Sequence, residues 1–376
     1  MEHADVVVVG AGIIGAACAE ALTAAGRRVT VLDRGPLASA TSAAGEGNLL
    51  VSDKRPGPEL DLALASLRLW PAVLDRLGRD VEWEAKGGLV VGTGDPAPLR
   101  ALAAAQRAAG VDARPLPPDA ARQREPRLTP LVTGAVHYPQ DAQLHPVLAT
   151  MALLAAVRRR GGVLRPGVAA LGLGPRGLRT SAGDIPCGAV VNAGGPWAGA
   201  VSRALGGPID IRPRRGVVLV TAPRPPLVRH KVYDADYVGA VAADAADLRT
   251  STVVEATPAG TILIGSSRER VGFDESPRVR VWRELARKAV ALFPALADVP
   301  VLRAYGGFRP YAPDHLPVIG PDPRRPGLWH ATGHEGAGIG LAAATGALVA
   351  QLLTGGTPLL DPAPFRVDRP GVLLCG

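Results

Sequence analysis

Cysteine, lysine and aromatic side chains are all scarce in this 376-residue chain, and each shortage removes a class of function. The three cysteines, Cys18, Cys187 and Cys375, lie far apart with no Cys-x-x-Cys among them, so no iron–sulfur cluster or thiolate zinc site is encoded. Cys18 and Cys187 read as small buried thiols, and a reducing compartment suits all three. No histidine pair stands at ligand spacing, so no metal is expected. Aromatic residues make up only 4%, too few for the stacking platforms that single-stranded nucleic acid needs. Lysine occurs only at Lys54, Lys86, Lys231 and Lys288, so nearly all 42 basic residues are arginine, clustered only at Arg158–Arg160 and Arg212–Arg215. The net charge of +8 therefore reads as a bias toward arginine and alanine, not a nucleic-acid surface, although it would attract an acidic substrate or partner. Long apolar runs are missing too. Residues 6–25 come nearest to a signal or membrane segment, but they start on an acid, lack a basic flank and contain three glycines. A cytoplasmic location is expected, with peripheral membrane contact left open.

The same N-terminal stretch is the most informative part of the chain. Asp5-Val6-Val7-Val8-Val9 runs into Gly10-Ala11-Gly12-Ile13-Ile14-Gly15, an alanine-rich segment ends at Gly26, and Val29-Thr30-Val31-Leu32 closes on Asp33. Strand, glycine turn, helix, strand and carboxylate follow in the order of a dinucleotide-binding crossover. Gly10 permits the turn, Gly12 lets the backbone approach a pyrophosphate, and Gly15 lets the helix pack on the strand. The helix start offers unpaired N–H groups and a positive dipole end to phosphates. Asp33 is placed to accept from a ribose.

The length suits two domains sharing an interface. The 20-residue stretch 58–77 has helical apolar spacing that Pro71 is expected to kink or divide. Strands are expected at 87–91, 136–138, 189–193, 217–220 and 261–264, and helices at 98–109, 146–160, 282–293 and from 338 to 353, with proline-rich 114–118 read as a linker. The texture is α/β at both ends and β-rich between. The fold expected is therefore α/β: a Rossmann-type, glutathione-reductase-like nucleotide domain from residues 1–82, 145–210 and 305–370, with an interleaved α+β substrate domain from 83–144 and 211–304 on a mostly antiparallel sheet.

Three further segments narrow this reading: Thr41-Ser42-Ala43-Ala44 with Gly47-Asn48, Val190-Val191-Asn192-Ala193-Gly194-Gly195-Pro196-Trp197, and Tyr305-Gly306-Gly307-Phe308-Arg309-Pro310 followed by Asp314 to Gly320 and Gly333 to Gly340. From residue 5 to about Arg369 the chain resembles the FAD-dependent amine oxidoreductases of the D-amino-acid oxidase type. Within that group Gly45 to Trp70 and the Gly-His-Glu-Gly-Ala-Gly-Ile-Gly run look most like the β subunits of D-hydroxyproline dehydrogenase, opine oxidase and hydrogen cyanide synthase.

The resemblance implies a bound FAD held by Gly10, Gly12, Ile13, Ile14, Gly15, Asp33, Arg34, Thr41, Ser42, Gly47, Asn48, Val168, Ala193, Gly194 and Trp197. At the far end it implies Gly333, His334, Gly336, Ala337, Gly338 and Ile339. Thr41, Ser42, Gly47 and Asn48 would donate along the diphosphate and flavin, Val168 would present its backbone to the adenine, and the helix opening near Gly338 would point N–H groups at the flavin pyrimidine oxygen. No His or Cys occurs in 40–48, so the flavin is expected to be non-covalent. Arg309 matches the family's carboxylate clamp, a guanidinium fork holding an amino acid over the flavin. His334 would lie near the flavin, in ordinary hydrogen bonding more than in acid–base work, and His315 reads as a turn residue. Tyr305, Tyr311, His230 and Tyr233 stay open between pocket and core. The activity implied is oxidation of the Cα–N bond of a small amino or imino acid, by a dehydrogenase passing electrons to α and ferredoxin-like subunits. A free-standing peroxide-producing oxidase and a non-catalytic electron-relay subunit remain as alternatives. The lysine that some oxidases of the group use toward oxygen has no aligned match.

Overall fold

A computed structural model describes residues 3–235 and 248–374. Cys375 lies outside them. Two sheets organise the molecule. The first has six strands in the order β17 (Val318–Pro321), β18 (Leu328–Thr332), β11 (Cys187–Asn192), β1 (Ala4–Val9), β2 (Val29–Asp33) and β8 (Val163–Pro166). All its pairings are parallel except that of β17 with β18. The centre of β1 is buried on both faces, as its continuous valine run requires. Helices α1 (Ile13–Ala24), α2 (Pro58–Leu77), α5 (Pro146–Arg159) and α8 (Gly338–Thr354) contribute to one apolar core with β1 and β2. Gly346 lets α8 approach α1 closely, because a Cβ there would meet the Ala17 carbonyl 2.5 Å away. Helix α6 (Ala198–Leu205) follows β11.

The second sheet has eight strands in the order β16 (Val301–Tyr311), β12 (Arg212–Thr221), β15 (Ile262–Arg268), β14 (Arg249–Ala256), β13 (Lys231–Asp234), β4 (Gly88–Gly92), β6 (Gly134–Tyr138) and β5 (Arg114–Leu116). Every neighbouring pair is antiparallel except β13 with β4. Helix α7 (Val279–Leu292) buries Val281, Leu285 and Ala289 in that sheet's core. Short ribbons β3 (Asn48–Leu49) with β7 (Ala142–Gln143), and β9 (Ala170–Gly174) with β10 (Gly177–Thr180), join the parts, and α3 (Ala97–Ala108) and α4 (Pro118–Arg124) lie between β4 and β6 in sequence.

The expected α/β fold with parallel nucleotide sheet and mostly antiparallel second sheet is the fold observed. Two local expectations are adjusted. Of the two outcomes expected at Pro71, a kink or a break, the break does not occur, and α2 runs unbroken from Pro58 to Leu77. Pro71 is exposed, so the carbonyl one turn earlier that loses its amide partner can turn to water. The stretch expected to be a linker contains edge strand β5, where Pro115 is tolerated because an edge leaves one side of the ladder unpaired. The boundary expected at 305 falls inside β16, which pairs with β12 along its length.

Candidate active site

The glycines of the crossover are each explained by what surrounds them. Gly10 adopts φ +111 and has no room for a Cβ against the Ala193 carbonyl, while a Cβ on Gly15 would strike the Gly10 carbonyl. Helix α1 starts at Ile13, whose N–H donates to Ser42 Oγ at 2.9 Å, so the loop 40–44 is tied to the helix N-terminus. Asp33 accepts from Ala11 N and Gly35 N, each at 2.8 Å, and so ties the glycine turn to the loop that follows β2. The Val168 amide donates to the Asp33 carbonyl at 2.8 Å, so a contact from Val168 to an adenine would be made by its carbonyl.

A cavity of about 470 Å³ opens along this surface. Its walls include Gly10, Gly12, Asp33, Val168, Gly194 and Trp197, and it ends at Pro310, His334, Glu335 and Gly338. Arg34 lies over the Trp197 ring at 4.5 Å, and Trp197 stacks on Phe273 with centroids 5.2 Å apart. A second chamber of about 80 Å³ continues from the first, sharing Ile13, Thr41, Ser42, Glu335 and Gly338 with it. It adds Gly45 to Asn48, Gly216, Val218, Ser266, Gly307, Phe308, Arg309 and Ile339. Helix α8 begins at Gly338 with no side chain capping it, so its positive end faces the junction of the two spaces.

Arg309 is half-buried in the second chamber. Its Nη1 donates to the Ser267 carbonyl at 2.9 Å, and its guanidinium occupies the space a side chain at Gly216 would fill. His334 is fully buried, shares a hydrogen bond with Thr345 Oγ1 at 3.0 Å, and is pulled down to about 3 by burial, so it is neutral. Next to it, burial works to raise the Glu335 carboxyl, but the His315 hydrogen bond and the charges of Arg214 and Arg268 hold it at about 2. Arg214 bonds Glu335 at 2.6 Å. Both His315 (φ +61) and Glu335 (φ +46) are left-handed, which fits the turn reading of His315.

Several expected roles move. The Thr41 hydroxyl donates to the Phe308 carbonyl at 2.6 Å and the Asn48 amide to Glu46 Oε2 at 3.2 Å, so these donors serve the protein although both residues line the chamber. Gly47 (φ +86) is required by the Leu144 carbonyl pressed against it. Of the four open residues, Tyr305 approaches the chamber, with its hydroxyl 3.5 Å from the Gly45 carbonyl. His230 is held by Glu125 at 2.7 Å, Tyr233 is buried against Ser52, and Tyr311 packs under Arg270 at 4.4 Å, all with structural partners. Among the described residues no cluster suits a metal ion, and no helix is long and apolar enough to cross a membrane.

The sequence reading passed over Glu46. Its side chain is 9% exposed, its Oε2 lies 3.9 Å from Lys231 Nζ, and Lys231 in turn bonds Asn48 and Glu255, the latter at 2.7 Å. Burial pushes Glu255 up to about 7, with Lys231 pulling the other way. An acid in a loop of small residues was the available signal, but the charged groups beside it, Lys231 and Glu255, lie roughly 200 residues away in sequence.

A glycine-turn crossover, a long groove from Asp33 to a helix N-terminus, and an arginine chamber beyond it define a dinucleotide-dependent oxidoreductase. The groove fits FAD: about 470 Å³ of space runs from Asp33 past two helix N-termini that suit phosphates and a flavin, and it opens on the chamber where a flavin's reactive edge would meet substrate. Residues 5–352 match the family model described as FAD dependent oxidoreductase, DAO. The chain belongs to this family, and FAD is its cofactor. It is 30% identical to hydrogen cyanide synthase subunit HcnC of Pseudomonas aeruginosa, over 97% of this chain and 96% of that one. It is 31% identical to the glycine oxidase of the same organism, over 96% and 97%. The solved glycine oxidase of Geobacillus kaustophilus superposes with a TM-score of 0.90 at 28% identity, covering 98% of this chain and 99% of that one.

Proposed function

We propose that this enzyme oxidises the Cα–N bond of a small amino or imino acid, of the glycine, sarcosine, proline, hydroxyproline or opine type, to an imine that water then hydrolyses. The observation that carries this reading is Arg309, a guanidinium fixed by the Ser267 carbonyl in a chamber that opens directly from the dinucleotide groove. Bound FAD supplies the two-electron acceptor. Arg309 holds the substrate carboxylate as a bidentate partner and so fixes where the Cα–H points. The N-terminus of α8 stabilises negative charge developing at the junction of groove and chamber. His334 is neutral and hydrogen-bonded, and it moves no proton.

FAD is held without a covalent bond, since loop 40–48 offers neither His nor Cys. We assign the six-stranded sheet to the nucleotide-binding part and the eight-stranded sheet to the substrate-binding part, with 1–82, 145–210 and 312–370 in the first and 83–144 with 211–311 in the second. Electrons leave to partner subunits; full-length similarity to a hydrogen cyanide synthase subunit supports that route. Similarity to glycine oxidases over the same span favours a second reading, direct reduction of oxygen to hydrogen peroxide. Anaerobic mixing with glycine, sarcosine, proline and the hydroxyproline isomers tests the amino-acid reading: one of them must bleach the yellow flavin. No bleaching by any while FAD stays bound contradicts it. Peroxide formation in air then separates oxidase from dehydrogenase.

A further inference from the structure

Arg309 accounts for one end of a zwitterion, and the opposite charge on the amine has no partner in the mechanism above. We infer that Glu46 binds the substrate's amine, an assignment that rests on the amino-acid reading of this chamber. Three observations carry it. First, Glu46 lines the same chamber as Arg309 and is more than nine-tenths buried, yet its Oε1 has no hydrogen-bond partner among the described residues. A buried carboxylate oxygen left unmet costs about 1–3 kcal/mol or more unless something fills the position, so a ligand donor there has a ready acceptor.

Second, the geometry suits an α-amino acid. Oε1 lies against Gly265, and the guanidinium of Arg309 lies over Gly216. Leu219 pairs with Ile264, the residue before Gly265, and Gly216 lies three residues before Leu219 on β12, so the two glycines sit close together at the end of this ladder. Residues a few strand positions apart are separated by roughly 7–10 Å, a span that a carboxylate and its neighbouring amine bridge with one hydrogen bond at each end. Glycine at 216 and at 265 is what leaves both positions open, because a Cβ at either would collide with the charged group above it.

Third, the cation nearest Glu46 is shared. Lys231 lies 3.9 Å from Glu46 Oε2 but 2.7 Å from Glu255, so it is held closer to Glu255, and Glu46 keeps its attraction for a substrate amine. Asn48, which donates to Glu46 Oε2 and accepts from Lys231, holds the second oxygen back and leaves Oε1 for the chamber.

The test uses FAD-loaded full-length protein reduced with dithionite under nitrogen, so that ligands bind without turnover. Calorimetry compares glycine and proline with their amine-free counterparts, acetate and tetrahydrofuran-2-carboxylate. Glu46→Gln should weaken the amine-bearing pair about tenfold or more and leave the amine-free pair within about twofold. Glu46→Asp, which keeps the charge but withdraws it, should fall between, and Arg309→Lys should weaken both pairs. Equal loss for both pairs, or no loss for either, in a Glu46→Gln protein that retains FAD overturns the assignment. If the unsubstituted protein binds neither pair, the amino-acid reading itself falls, and Glu46 with it.

Discussion

Replacing Arg309 by lysine keeps a positive charge in the chamber and removes the fork. In the structure the guanidinium donates to the Ser267 carbonyl at 2.9 Å and lies over Gly216, and these two contacts orient its planar fork within the chamber. A lysine ammonium offers one strong contact in place of two and has no planar face to rest on Gly216. One charge-assisted hydrogen bond is worth about 1.5–3 kcal/mol. Arg309 is partly open to solvent, so the lower half of that range applies, and kcat/KM should fall about 10- to 45-fold, mostly through KM. Rapid mixing under nitrogen, following flavin reduction against substrate concentration, separates binding from the chemical step. Gly216→Ala should reproduce the effect without touching the charge, because its methyl takes the guanidinium's place. Kinetics within about twofold of the parent for Arg309→Lys would remove Arg309 from the site.

Other expectations follow from the same geometry. Asp33→Ala removes the acceptor for Ala11 N and Gly35 N and should weaken FAD binding at least about tenfold, measured by reconstituting the stripped protein; unchanged affinity would mean the carboxylate does not brace the turn. His334→Gln should leave the pH profile of kcat/KM without any lost inflection between pH 5 and 9, since burial keeps the imidazole neutral there; loss of an inflection would make it a proton carrier. Asp141, buried and bonded to Val51 N at 2.9 Å, is pushed up by burial to about 7 from an ordinary 3.8. The folded state therefore holds a proton that the unfolded state loses, and stability drains away as pH rises from about 4 to about 7, by at most about 4 kcal/mol. Asp141→Asn should flatten that stretch of the urea-midpoint curve against pH, and an unaltered curve would contradict the assignment.

What the sequence made legible was local or repeated in pattern. The crossover could be read because its three glycines, its strand valines and Asp33 act within thirty residues of one another, and each does so for a steric or electrostatic reason visible in the order alone. Arg309 could be placed only through resemblance, because Gly306-Gly307-Phe308-Arg309-Pro310 is similar to the segment that holds a carboxylate in the family. Glu46 could not, because Lys231 and Glu255 reach it from β13 and β14 only after the second sheet has formed. The same non-local pairing diverted Thr41 to Phe308 and His230 to Glu125, contacts no spacing rule encodes. Pro71 and Pro115 defied their usual meaning because one faces solvent in a well-packed helix and the other sits on a sheet edge.

Flavin content of the purified chain tests FAD binding without any assumption about substrate. The protein should be yellow, release one FAD per chain on acid precipitation, all of it into the supernatant, and take FAD up again when refolded. A colourless protein that cannot be reconstituted with FAD, or one whose flavin stays with the precipitate, would contradict non-covalent FAD binding.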